Sequence, residues 1–157
     1  EATGHLAALD TQASEEGLSW DGVAARLLWR EAAALPWEAS SWVHADIHVR
    51  NLVTRGGRLA AILDWGEAGA GDPAQDLGQV WLLLKADDAV RAFAQYGGMD
   101  DETLARAKGE ATTTAVRLIS TGDPGFIEAG WRGLMNLGLA DGSPPQPVAS
   151  RGSRSIR

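Results

Sequence analysis

Apolar residues early in the chain recur at helical spacing. Residues 5–16 read as a short helix. Val23, Leu27, Leu28 and Ala34 lay an apolar stripe along a second helix over 21–34, with Arg26, Arg30 and Glu31 elsewhere on its surface. Ser19 is read as the cap of that second helix, and Pro36, which cannot continue a helix, stops it. The texture then changes. Trp42-Val43 is a short apolar run before a polar stretch, His44 to Arg50. Leu52-Val53 and Leu59 to Leu63 read as two strands, and Arg55-Gly56-Gly57-Arg58 supplies the glycine turn of a β-hairpin. Residues 66–73 are rich in Gly with an Asp and a Pro, which reads as a loop. Four helices follow, from Asp76 to Leu84, Ala86 to Tyr96, Asp100 to Thr121 and Asp123 to Leu139. Asp123 and Pro124 are the cap and first-turn residues of the last. The fold class expected is α+β, mostly α: helices around a polar loop and a small hairpin.

Composition narrows the function classes. The chain has 157 residues and a 45% hydrophobic fraction, enough for one domain with a core. It has no Cys, so disulfides and thiolate metal sites are excluded. No run of about 18 apolar residues marks a membrane span, and the N-terminal residues have no signal-peptide pattern. A cytoplasmic, membrane-free protein is expected. The net charge is −7, but residues 143–157 hold three Arg and no acid, so the body carries 21 acids against 11 bases, a net −10. A nucleic-acid partner would need a basic stripe, which this chain lacks. An acidic body suits a cationic small molecule through long-range steering, and also serves plain solubility. Beyond Gly142 the Pro- and Ser-rich stretch has little to bury, so residues 142–157 are read as a disordered tail following a domain over 1–141.

The chemistry concentrates in one segment. His44-Ala45-Asp46-Ile47-His48-Val49-Arg50-Asn51 contains the pattern His-x-Asp-x-x-x-x-Asn, and Asp64 follows thirteen residues after Asn51, at the end of the second hairpin strand. The hairpin should carry Asp64 back beside Asn51. Asp64 is followed by Trp65-Gly66, and Gly71-Asp72-Pro73-Ala74-Gln75-Asp76-Leu77 comes shortly after.

Together these segments resemble the aminoglycoside phosphotransferase family, strongly over residues 42–84 and only as a helical pattern elsewhere. The resemblance implies the C-terminal lobe of the protein-kinase-like fold. It also implies an ATP- or GTP-dependent transfer of phosphate to a small-molecule hydroxyl. Carried over residue by residue, Asp46 is the catalytic base, and Asn51 and Asp64 hold Mg²⁺ beside the nucleotide. His48 supports the loop or approaches phosphate. His44 orders the loop by hydrogen bonding, Asp76 caps a helix and braces the loop, and Trp65 packs rather than serving as a substrate platform. The chain departs from the family pattern at Ala45, where Gly is usual, and at Val49-Arg50, where Pro-Gly is common.

Nothing before Asp46 resembles the glycine-rich strand pair or strand Lys that grips nucleotide phosphates in a kinase; Lys85 and Lys108 both lie downstream in helices. The nucleotide lobe is therefore expected to be absent. The chain alone should transfer little phosphate, and the uncovered docking surface should favour self-association. The alternative is a short, non-catalytic pseudokinase-like binding protein.

Overall fold

The computed structural model describes residues 2–97 and 99–147. The chain is α+β and mostly helical. It runs α1 (Ala2–Glu16), β1 (Ser19–Trp20), α2 (Gly22–Ala34), β2 (Ser41–Val43), a 3₁₀ turn (Val49–Asn51), β3 (Leu52–Arg55) and β4 (Arg58–Ile62). It continues through β5 (Gly69–Gly71), α3 (Ala74–Leu83), α4 (Ala86–Tyr96), α5 (Asp101–Ser120), α6 (Pro124–Asn136) and β6 (Ala140–Asp141). Three antiparallel strand pairs, β1–β6, β2–β5 and β3–β4, sit around the helices.

α5 is the central helix, packed against α1, α2, α3 and α6. Its inward face is built largely of small residues, Ala107, Ala111 and Ala115, all fully buried. Small residues let neighbouring backbones approach closely. At Gly130 on α6 an added Cβ would lie 2.5 Å from the Ala115 carbonyl oxygen, closer than any real contact allows. Larger side chains fill the space around this close-packed seam. Leu6 and Leu9 come from α1, Leu82 from α3, Val116 and Ile119 from α5, and Trp131 and Leu134 from α6; each is at most 4% exposed. Burying a side chain of this size contributes roughly 1.5–3 kcal/mol, so the stability of the chain resides here.

Helix starts follow the carboxylates. Asp100 accepts from Thr103 N–H at 2.7 Å, and Asp123 accepts from Gly125 and Phe126 N–H, with Pro124 in the first turn. The cap of α2 is Asp21, which accepts from Ala24 N–H at 2.9 Å, and not Ser19. Ser19 instead pairs with Asp141 in the β1–β6 ladder, because Asp21 N–H donates to Leu139 O and holds the preceding residues extended. α6 ends at Asn136, short of Leu139, since Gly138 takes a left-handed φ of 72° and turns the chain into β6.

The hairpin forms as its glycine turn requires, with a register shift at Val53/Thr54. Within the expected loop 66–73, residues 69–71 pair with β2 instead. Gly-Ala-Gly carries no strand-forming side chains, so only backbone pairing makes this strand. Its closeness excludes a side chain at Gly71, where a Cβ would stand 2.7 Å from Val43 Cγ2. Of the expected tail 142–157, residues 142–147 run back over α1 and α6. Trp131 Nε1 donates to Gly142 O, Gln146 N–H donates to Glu16 Oε2 at 2.9 Å, and Pro145 is buried. Residues 148–157 lie outside the described residues.

Candidate active site

The loop from His44 to Asn51 leaves β2 and enters β3, and α3 holds it from below. Asp76, in the first turn of α3, accepts from His44 N–H at 2.6 Å and from Ala45 N–H at 2.9 Å. It does not cap α3, whose N-cap is Pro73 with no side-chain capping bond; Asp72, just before it, accepts from Ala74 N–H at 3.0 Å. The brace folds the loop tightly enough to drive Ala45 to a left-handed φ of 64°. A Cβ is disfavoured in that region by roughly 1–2 kcal/mol, which gives a physical reason for the glycine usual at this position.

His44 is buried, 3% exposed, and its ring spans the site. Nε2–H donates to Leu63 O at 2.9 Å and Nδ1 accepts from Asp46 N–H at 3.3 Å, an arrangement that fixes the tautomer. The Trp65 ring covers it edge-on at 4.8 Å, with the indole N–H donating to Ile62 O. His44 thus ties the loop to the end of β4.

Asn51 is buried and faces Asp46. Its Nδ2 donates to Asp46 O at 2.9 Å and reaches Asp46 Oδ2 at 3.4 Å. Leu63 N–H donates to Asn51 O at 2.7 Å, so the hairpin brings Asp64 to the backbone beside Asn51 as its length requires. Asp64 is exposed, with a left-handed φ of 58° that Asp tolerates better than most residues. Among the described residues no hydrogen bond uses Asn51 Oδ1 or the Asp64 carboxylate, leaving hard oxygen donors from both for a cation. No group of three or more His, Asp or Glu gathers as a metal cluster among the described residues. Two protein oxygen ligands still suit Mg²⁺, which keeps several waters and takes phosphate oxygens for the rest.

His48 Nε2 lies 3.6 Å from Asp46 Oδ2, its Nδ1 accepts from Arg50 N–H, and its ring packs edge-on against Phe126. Arg50 is exposed and does not line the Asp46 cavity. Its guanidinium lies 4.6 Å over the Phe126 ring and pairs with Asp123, the N-cap of α6. Asp46 opens on a cavity of about 90 Å³. Besides Asp46 and His48, Gln75 and Gln79 of α3 and Glu110 and Arg117 of α5 line it. The α5 residues are the part that motif reading missed. They belong to an ordinary-looking helix distant in sequence, and no spacing marks them. Asp64 is not part of this cavity's lining.

The profile of the Phosphotransferase enzyme family matches residues 3–118, most of the chain. The chain belongs to this phosphotransferase family. Viomycin phosphotransferase of Streptomyces vinaceus is 33% identical over 88 residues, covering 54% of this chain and 31% of that protein. The phosphotransferase-family chain thus aligns with less than a third of that relative's length. No solved structure matches it.

Proposed function

We propose that this chain is the C-terminal catalytic lobe of a kinase-like, small-molecule O-phosphotransferase of the cytoplasm. In this reading Asp46 orients the acceptor hydroxyl in its cavity and takes its proton. Asn51 Oδ1 and the Asp64 carboxylate hold the Mg²⁺ that accompanies ATP or GTP. That ion would neutralise charge developing on the transferred phosphate. His48 steadies the Asp46 carboxylate from 3.6 Å or approaches the phosphate. The acceptor is a hydroxyl compound, and a cationic one suits the acidic body.

The observation that carries this reading is how the loop uses its polar atoms. Asn51 commits Nδ2 to Asp46, which leaves Oδ1 and Asp64 for a cation while the Asp46 carboxylate faces the cavity. A base bound directly to the metal would lose basicity, so separation of the two tasks is what in-line transfer needs. In a transfer-competent protein, Asp46→Asn lowers kcat by about 10² or more with nucleotide affinity nearly unchanged. Asp64→Asn weakens metal–nucleotide binding as well. On the chain itself, Mn²⁺ substituted for Mg²⁺ should broaden the amide signals of Leu52 and Leu63, and Asp64→Asn should abolish the effect. Equal loss of nucleotide affinity in both variants, or full activity in Asp46→Asn, overturns the assignment.

A second reading, a non-catalytic binding protein, is favoured by the apolar surface left open beside the site. Trp42 is 82% exposed and Leu59 and Trp65 are each 59% exposed. The same surface suits self-association. Concentration-dependent light scattering, with no Mn²⁺ effect, is the result that selects this reading.

A further inference from the structure

The loop from His44 to Asn51 is braced at its start by Asp76, but its far end is held differently. That end is the 3₁₀ turn over Val49–Asn51. A proline in such a turn would lock one φ at about −65°; Val49-Arg50 provides no such lock. The Arg50 side chain fastens the turn from outside instead. Its guanidinium lies 4.6 Å over the Phe126 ring and pairs with Asp123 Oδ2. Asp123 divides its two oxygens between two tasks, since Oδ1 accepts from Gly125 and Phe126 N–H and caps α6. Phe126 is half-buried and packs against the core, so the anchor belongs to the rigid part of the chain.

Residue 50 also reaches the site by a short route. Phe126, under the Arg50 guanidinium, packs edge-on against the His48 ring at 5.3 Å. His48 Nδ1 accepts from Arg50 N–H at 3.3 Å, so Nε2 carries the ring proton, and Nε2 is the atom 3.6 Å from Asp46 Oδ2. Asn51 N–H donates to His48 O at 2.9 Å, so a shift of His48 carries Asn51 with it. An exposed ion pair contributes little alone. Here the same guanidinium also stacks on an aromatic face, which adds to it, and both contacts end on one helix start.

We propose that Arg50 is a positioning residue, clamping the far end of the loop to α6 so that the His48 ring stays beside Asp46 and the Asn51 side chain stays where a cation is to be held. The assignment rests on the phosphotransferase reading for what the site binds, and the test separates the two. The chain is titrated with Mn²⁺, following broadening of the Leu52 and Leu63 amides. Exchange of the Asn51 amide and the His48 ring signals are followed by NMR in the metal-free chain. Arg50→Gly should weaken Mn²⁺ binding and speed Asn51 exchange by about fivefold each, the scale that one exposed ion pair and one cation–π contact give together. The His48 ring signals should lose the shift imposed by Phe126, with α5 amides unchanged. Asp123→Asn keeps an N-cap of equal quality and removes the ion pair, so a loss of about twofold is expected. Arg50→Lys keeps a cation over the ring and should recover most of the affinity. Val49→Pro combined with Arg50→Gly exchanges the clamp for a locked φ and should recover it too; His48, extended at φ −149° and ψ 172°, accepts a following proline. Unchanged Mn²⁺ affinity and Asn51 exchange in Arg50→Gly overturn the clamp. So does failure of both Arg50→Lys and the Val49→Pro combination to recover the loss, an Asp123→Asn chain identical to the unsubstituted one, or an equal loss of protection along α5, which would make Arg50 a general stabiliser. Absence of Mn²⁺ broadening in the unsubstituted chain counts instead against the phosphotransferase reading, and the Asn51 exchange and His48 ring signals then decide the clamp by themselves.

Discussion

The α3–α5–α6 platform and the β3–β4 hairpin treat apolar residues in opposite ways. In the platform Leu82, Val116, Trp131 and Leu134 are at most 2% exposed. In and around the hairpin Val53 is 40%, Leu63 47% and Leu59 59% exposed, although the hairpin carries Asp64. Stability is thus made in one part of the chain and half of the candidate metal site is presented by another. What joins them is a small set of polar tethers: Asp76 to the loop backbone, and His44 to Leu63 O. The difference teaches that positioning here depends on a few hydrogen bonds, two of them to the Asp76 carboxylate, rather than on packing.

That contrast can be broken first at Asp76. Asp76→Ala leaves two loop N–H groups without their carboxylate, and bonds to charged groups contribute about 1.5–3 kcal/mol each. Hydrogen exchange should show protection at His44 and Ala45 falling by about 100-fold or more while α5 amides are unchanged. A parallel loss along α5 would mean that loop and platform open as one unit. Gly130→Ala probes the other side. The added Cβ meets the Ala115 carbonyl, and overpacking of this kind costs about 1–3 kcal/mol. Thermal unfolding should move down by roughly 6 °C, with Mn²⁺ broadening at Leu63 intact below the transition.

Two smaller changes sharpen the comparison. Ala45→Gly removes the left-handed penalty and should stabilise the loop by about 1 kcal/mol, seen as slower exchange at His44 and not as a change in α5. Asp10 tests the helical side. Its carboxyl is held below its ordinary range by the hydrogen bond from Arg26, with Trp20 Nε1–H adding and burial opposing. A lowered folded-state pKa means a contribution that is complete above the ordinary Asp value and is lost as pH falls through the folded one. Asp10→Asn should therefore flatten the acid side of the stability curve below about pH 4 by no more than ~0.5 kcal/mol, since the pair is partly exposed. Urea unfolding at pH 3 and pH 6 measures it.

Much of this arrangement was legible in the sequence because it is written in local terms. The loop residues Asp46 and Asn51 share one short segment, the Gly56-Gly57 turn returns the chain to place Asp64 beside Asn51, and Asp100 and Asp123 stand where a helix needs an acceptor. The brace from Asp76 was legible too, although Asp76 does not cap α3. β5 was hidden because Gly-Ala-Gly pairs through backbone alone, and Ser19 was misread because the acceptor two residues on, Asp21, competes better. Glu110 and Arg117 reach the Asp46 cavity only through the packing of α5. No local pattern distinguishes them from residues on any solvated face.

The β1–β6 ladder has a consequence for the order in which the chain is completed. Ser19 and Trp20 find their strand partners only at Asp141 and Ala140, and Asp21 N–H finds its acceptor at Leu139. During synthesis α1, α2 and α5 would therefore be available to pack while this clasp still lacked its second half. Closing it joins residues 19–20 to residues 140–141, the kind of distant contact that slows folding and leaves surface exposed to misassembly meanwhile. The clasp acts as a late latch, fastening the segment between α1 and α2 only after α6 has been made.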